Sequence, residues 1–242
     1  MQSRPPNKRL HRLSLSFRIR VSNLYKLAIF DFDGTLVDST PGIIDVMKIV
    51  VDEYNFQEGI LEEWQHLVGV PLPRQMEIIF PDRDADFHLE VANRYREIYD
   101  KMAIEICPPF PHMVPMLKNL KDAGITVTIA SSKRSNLVQV VIDHHNLNEY
   151  FAMVVGAQEV TNHKPHSESV DVTVEKFGTA REETVVIGDS IFDLDMARNA
   201  RVDAIGVTTG VHTAEMLAKS EPTHIVTDLV AVEKIILNGR KR

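Results

Sequence analysis

Apolar and polar positions follow two rhythms along the chain. Leu27-Ala28-Ile29-Phe30 is a continuous apolar run of strand length, the pattern of a strand covered on both faces. It breaks off in Asp31-Phe32-Asp33-Gly34. After residue 39 the rhythm becomes helical. Ile43, Ile44, Met47, Val50 and Val51 share one face of a helix from about Thr40 to Tyr54, with Thr40 as its cap and Pro41 suiting its first turn. Helical spacing continues over Ile60 to Val68, Leu72 to Ile79 and Asp86 to Lys101, and no strand pattern interrupts it before residue 103. A wholly helical block between strand-bearing segments reads as an insert.

The breaker-rich Cys107-Pro108-Pro109-Phe110-Pro111 marks the return. Beyond it, strands predicted at Ile125 to Ala130, Met153 to Val155, Thr184 to Ile187, Ala204 to Val207 and His224 to Val226 alternate with helices. The helices are expected at Met113 to Asp122, Arg134 to His145, Glu168 to Phe177, Leu194 to Ala200, about Ala214 to Lys219, and Leu229 to Ile236. Such alternation predicts an α/β fold: a doubly wound, Rossmann-like parallel sheet core with an inserted α-helical block. The core is expected from residues 24–38 and 104–242, and the insert from 39–103.

Composition changes this picture little. The chain has 242 residues, 44% hydrophobic and 25% charged, which suits one sizeable α/β domain with an insert. No apolar run approaches the ~18 residues that cross a bilayer, so no membrane partner is expected. The single cysteine, Cys107, excludes an internal disulfide and fits a reducing compartment. Charge is more informative. The first 26 residues hold seven Lys or Arg and no acid, leaving 20 basic against 34 acidic residues in the remainder. An acidic body argues against nucleic acid as a partner. The basic extension, residues 1–23, reads as a disordered tail or a targeting segment, and it lacks the apolar core of a secretory signal. The expected location is therefore cytoplasmic, with organelle import as the alternative, and the expected assembly a monomer or small homo-oligomer.

Chemistry concentrates at four strand ends. Asp31 and Asp33 close the first strand, where ligands of open α/β sheets bind, although Asp-Gly alone also suits a turn. Ser131-Ser132 follows the strand ending at Ala130, directly before a helix whose free N–H groups favour an anion. Lys164 follows the strand at Met153 to Val155, and a fixed cation would relieve repulsion among neighbouring carboxylates. Gly188-Asp189, with Asp193 four residues on, closes the strand at Thr184 to Ile187. Carboxylates of this kind suit Mg²⁺, a hard cation held by one or two acids together with water and substrate phosphate.

With these four strand ends in order, the sequence resembles the haloacid dehalogenase superfamily of phosphohydrolases, and its phosphoglycolate-phosphatase-like branch, over about residues 24–230. Asp31-Phe32-Asp33-Gly34-Thr35-Leu36-Val37-Asp38-Ser39 carries most of the likeness. The resemblance implies a Mg²⁺-dependent phosphatase acting on a small phosphate ester, with residues 39–103 as a cap over the site. It implies Asp31 as nucleophile and Asp33 as acid and base. Ser131, Ser132, Lys164 and Gly34 would bind phosphate. Asp31, Asp33 (through its carbonyl) and Asp189 would hold the metal, with Asp193 supporting the metal or Lys164.

Departures narrow the branch. An acid at Asp33 separates this chain from the dehalogenases and phosphonate hydrolases of the superfamily, and Ile43 stands where β-phosphoglucomutase relatives carry a histidine. Pro111-His112 and Lys164-Pro165-His166-Ser167 replace the usual Pro-Gly and Lys-Pro-x-Pro. Pyrophosphate hydrolysis is an alternative within the class, a sugar-phosphate mutase of the same superfamily, disfavoured by Ile43, another, and a non-catalytic binding protein on the same scaffold one outside it. In the insert, Arg74 could reach a substrate anion, with Trp64 and His66 nearby in sequence. The scattered methionines read as core filler.

Overall fold

The computed structural model describes residues 25–239. The basic extension expected at 1–23 lies outside the described residues.

Six strands form one parallel sheet: β1 (Leu27–Phe30), β2 (Thr126–Ala130), β3 (Met153–Val155), β4 (Thr184–Gly188), β5 (Asp203–Val207) and β6 (His224–Val226), in the order β3-β2-β1-β4-β5-β6. Every residue of β1, β4 and β5 is buried. Helices cover both faces, so these strands read as apolar runs instead of alternating patterns. The covering helices are α5 (Met113–Asp122), α6 (Ser135–His144), α7 (Glu168–Phe177), α8 (Ile191–Ala200), α9 (Ala214–Ala218) and α10 (Leu229–Asn238). The strand order reverses between β1 and β4. In a doubly wound sheet, that reversal opens a crevice at the carboxyl ends of the two strands.

Four helices, α1 (Thr40–Tyr54), α2 (Ile60–Gln65), α3 (Leu72–Ile79) and α4 (Ala85–Met102), lie between β1 and α5. Their apolar faces bury Trp64, Met76, Val91 and Tyr95 together with Met47 and Val50 of α1, in one core continuous with Phe30, Phe32 and Cys107. Trp64 is wholly buried, and its Nε1 donates to Gln75 Oε1 at 2.6 Å; it is a packing residue of the insert. The chain leaves and re-enters the sheet side by side. Asp38 N donates to Pro108 O at 2.8 Å, Phe110 N donates to Leu36 O at 3.0 Å, and Val37 pairs antiparallel with Pro109.

Three local expectations shift. Thr40 does not cap α1; Ser39 precedes the helix, and its hydroxyl makes no cap bond because it donates to Asp33 Oδ1 at 2.7 Å. The second helix stops at Gln65, short of the expected Val68. Beyond it the chain turns through Gly69, at φ +102°, where an added Cβ would come within 3.1 Å of Ser190 Oγ and Phe192. Close approach to the sheet there wins over helical periodicity. Helix α8 begins at Ile191, earlier than the expected Leu194, because Ser190 and Asp193 form a capping box.

Candidate active site

Register brings the first and fourth of these strand ends together. Phe30 pairs with Ile187 across β1 and β4, and Asp31 N donates to Ile187 O at 2.8 Å, so Asp31 and Asp189 emerge side by side at the crevice. Asp31, Asp189 and Asp193 each offer a carboxylate oxygen, all within 4.8 Å of one another. Lys164, from the loop after β3, inserts its ammonium here, at 2.6 Å from Asp31 Oδ1 and 2.5 Å from Asp193 Oδ1. Asp193 Oδ2 accepts from Ser190 Oγ at 2.6 Å and Ser190 N at 3.2 Å. Thr35 Oγ1 donates to Asp189 Oδ1 at 3.0 Å.

These charges are out of water. Asp31, Lys164, Asp189 and Asp193 are 8%, 7%, 3% and 1% exposed. Burial raises the Asp31 carboxyl from its ordinary 3.8 to about 7; Lys164 opposes that rise and Asp193 adds to it. Asp189 is pushed well above the carboxylate range by burial, then by Asp31 and Asp193. The two carboxylates raise the Lys164 ammonium despite its burial, so it stays charged.

Asp33 lies beside this cluster, and its side chain turns elsewhere. Its Oδ1 accepts from Ser39 and, at 2.6 Å, from Lys133 Nζ. Lys133 also meets the Tyr99 hydroxyl and sits 4.3 Å above the Tyr99 ring centroid. Tyr99 belongs to α4, so the group spans the sheet and the insert. Ser131 is buried at the end of β2, and its Oγ accepts from Lys133 N at 3.1 Å. Ser132 Oγ donates to Gly69 O at 2.7 Å, and Arg134 pairs with Asp100 of α4 at 2.6 Å. The Gly34 carbonyl accepts from Thr209 Oγ1 at 2.5 Å. A cavity of about 500 Å³ lies between insert and sheet, lined by Asp31, Asp33, Ser131, Ser132 and Asp189 among others. Arg74 also lines it, yet its guanidinium is paired with Glu77 at 2.5 Å.

The cluster fits a divalent cation. Its donors are hard oxygens, and three acids face a single lysine. The backbone also leaves room for the ligand set: a Cβ at Gly210 would fall 1.7 Å from Asp189 Oδ2, a collision only glycine avoids.

A sequence profile of the haloacid dehalogenase-like hydrolases matches residues 28–207 of this chain. The protein belongs to the haloacid dehalogenase-like hydrolase family. Among its curated relatives, "Probable phosphatase IndB" of Dickeya dadantii (strain 3937) is 32% identical over 203 residues, covering 83% of this chain and 88% of that one. The "Phosphoglycolate phosphatase" of Agrobacterium fabrum (strain C58) is 28% identical over 225 residues, covering 89% and 96%. A crystal structure from Bacteroides fragilis, named for the same family, superposes with a TM-score of 0.81 at 28% identity and covers 86% of this chain and 99% of that one. This haloacid dehalogenase-like hydrolase is thus an enzyme of the phosphoric ester hydrolase kind, on the parallel α/β fold expected from its sequence.

Sequence reasoning overlooked Lys133 in this site of the family member. An isolated lysine reads as solvated charge, and the available signal was its place two residues after Ser131 at a strand end. Arg96 of α4 was missed for the same reason, although it stands next to the buried Tyr95 on a cavity-lining helix.

Proposed function

We propose that this protein is a Mg²⁺-dependent phosphatase that hydrolyses a small phosphate monoester through an aspartyl-phosphate on Asp31. The observation that carries this is the buried Lys164 held between Asp31 and Asp193 beside Asp189, at the carboxyl ends of adjacent β1 and β4. Asp31 would attack phosphorus while the ester P–O bond breaks, and Asp33 would give its proton to the leaving oxygen. Water would then attack the aspartyl-phosphate, with Asp33 taking the water's proton and inorganic phosphate leaving Asp31 free. Lys164, Ser131, Ser132 and the backbone at Gly34 would hold the phosphoryl oxygens.

Asp31, Asp189 and the Asp33 carbonyl would hold Mg²⁺, which supplies charge neutralisation for the phosphoryl oxygens. Both oxygens of Asp193 are already engaged, by Lys164 and Ser190, so its role is to position Lys164. Residues 39–103 would act as the cap that excludes water and selects the ester, over a catalytic core of 24–38 and 104–242. The partner is then a small phosphate ester, with neither nucleic acid nor membrane required, and cytoplasmic location suits such a substrate.

The test is Mg²⁺-dependent turnover of a panel of phosphate monoesters, with pyrophosphate included, by the wild type and Asp31→Asn. We expect the variant to lose about four decades of kcat. Full turnover by Asp31→Asn would overturn the assignment, and pyrophosphate as the best substrate would move it to the pyrophosphatases.

A further inference from the structure

The cavity above the carboxylates is larger than the chemistry at its floor needs. Its volume is about 500 Å³, in the range of sites that enclose a drug-sized molecule. A phosphoryl group displaces only a few water volumes of about 30 Å³ each. The walls divide by polarity. Ile43, Met47, Val68 and Leu72 give it an apolar side, which favours an apolar ligand body that covers it.

At the seam between α4 and the loop after β2 stand two guanidiniums, Arg96 and Arg134. Arg134 pairs with Asp100 at 2.6 Å. Arg96 donates to Asn93 Oδ1 at 2.9 Å and, among the described residues, has no carboxylate in ion-pair contact. Burial, then the neighbouring Arg134, push Arg96 below its usual range, while Asp100 pulls the other way. Asp100 is thus committed to Arg134, and Arg96 stands beside that pair with no carboxylate of its own in contact among the described residues. A like-charged pair beside apolar surface is unfavourable until an anion joins it, and planar guanidinium forks match the oxygens of a carboxylate or phosphate. Arg74, already matched by Glu77, leaves no such excess charge.

We propose that Arg96 and Arg134 form a second oxyanion subsite, so that the substrate is a phosphate monoester whose apolar body ends in a carboxylate or a second phosphate. The identity of the reacting end rests on the phosphatase proposed above. The subsite itself can be tested without turnover.

Calorimetry with Mg²⁺ would compare phenylphosphonate, 4-carboxyphenylphosphonate and 1,4-phenylenediphosphonate on the wild type, Arg96→Met and Arg96→Lys. We expect the added anion to tighten wild-type binding about tenfold. Arg96→Met should bring that ratio close to one, and Arg96→Lys should retain part of it. A gain for the carboxylate alone, or the diphosphonate alone, identifies the anion and supports the subsite. A gain for neither, or one that survives in Arg96→Met, overturns it. Turnover of phenyl phosphate and 4-carboxyphenyl phosphate in parallel separates the two proposals. If neither ester is hydrolysed while the Arg96-dependent affinity persists, the phosphomonoester hydrolysis proposed above falls and the subsite stands.

Discussion

Two surfaces face each other across the cavity, and they are built differently. On the sheet side, Asp31, Lys164, Asp189 and Asp193 are all buried, and each is fixed by strand register, a capping box or an ion pair. On the insert side the charged residues sit on helix surfaces, with Arg74 63% and its partner Glu77 49% exposed. Burial makes every sheet-side interaction strong and every missing partner costly. Water screens the insert side, so its charges carry little stability. The difference separates two tasks. On the function proposed above, bond-breaking groups would occupy positions where geometry cannot drift, while groups that choose among substrates would occupy positions that can change without unfolding the protein.

The largest expected contrast comes from removing divalent cations. Chelation should lower turnover by about a thousandfold, as expected for several kcal/mol of charge stabilisation, and added Mg²⁺ should restore it. Unchanged turnover after chelation would remove the metal from the sheet side altogether.

Lys164→Met should follow closely. It strands Asp31 and Asp193 without a counter-ion, and loss of one partner from a buried pair costs about 3–5 kcal/mol. Denaturant unfolding of the metal-free protein measures this. A loss below about 1 kcal/mol would mean that water reaches the cluster as freely as the opposite wall.

A smaller effect concerns pH. The Asp31 carboxyl titrates at about 7 in the folded protein against an ordinary 3.8, so between these values the folded state holds a proton that the unfolded chain has released. Raising pH through that window therefore favours unfolding. Metal-free protein should melt a few degrees higher near about pH 5 than near about pH 8. Mg²⁺ should flatten the dependence by stabilising the ionised carboxylate, and Asp31→Asn should weaken it. Melting temperatures that rise with pH in the metal-free wild type would contradict the burial of Asp31.

The smallest effect is expected across the cavity. Arg74→Ala removes an exposed i,i+3 pair with Glu77 and should change unfolding free energy by no more than about 0.5 kcal/mol. A loss comparable to that of Lys164→Met would erase the distinction between the two sides.

Much of the sheet side was legible in sequence, because burial imposes itself on composition. An apolar run that ends in Asp must bring that acid out at a strand terminus, and this located Asp31, Ser131 and Asp189. Strand order was less accessible. That β1 lies between β2 and β4 depends on pairings 99 and 157 residues apart, Leu27 with Thr126 and with Thr184, which no local pattern encodes. Hydroxyls were harder still. The cap was expected at Thr40, and nothing local shows that the hydroxyl of Ser39 before it donates to Asp33 at 2.7 Å; Lys133 likewise looks solvated until Asp33 and Tyr99 enclose its ammonium. Helix α2 shows the opposite failure: apolar spacing runs on through Val68, but the chain must bend at Gly69 to approach Ser190 and Phe192. Arg96 and Arg134 were invisible as a pair, since they come from different elements.

The two-stranded clip at the root of the insert has a consequence for how such molecules diversify. Asp38 with Pro108, and Phe110 with Leu36, are joined through backbone groups alone, and none of these bonds belongs to the parallel ladder of β1 with β2 and β4. The sixty-odd residues between Asp38 and Pro108 thus form a cassette that leaves and rejoins the sheet at one root, with further ties to the sheet side at Gly69, Tyr99 and Asp100. Gene recombination or a designer could exchange that cassette for another helical unit, and the descendants would share one hydrolytic engine while foraging on different metabolites.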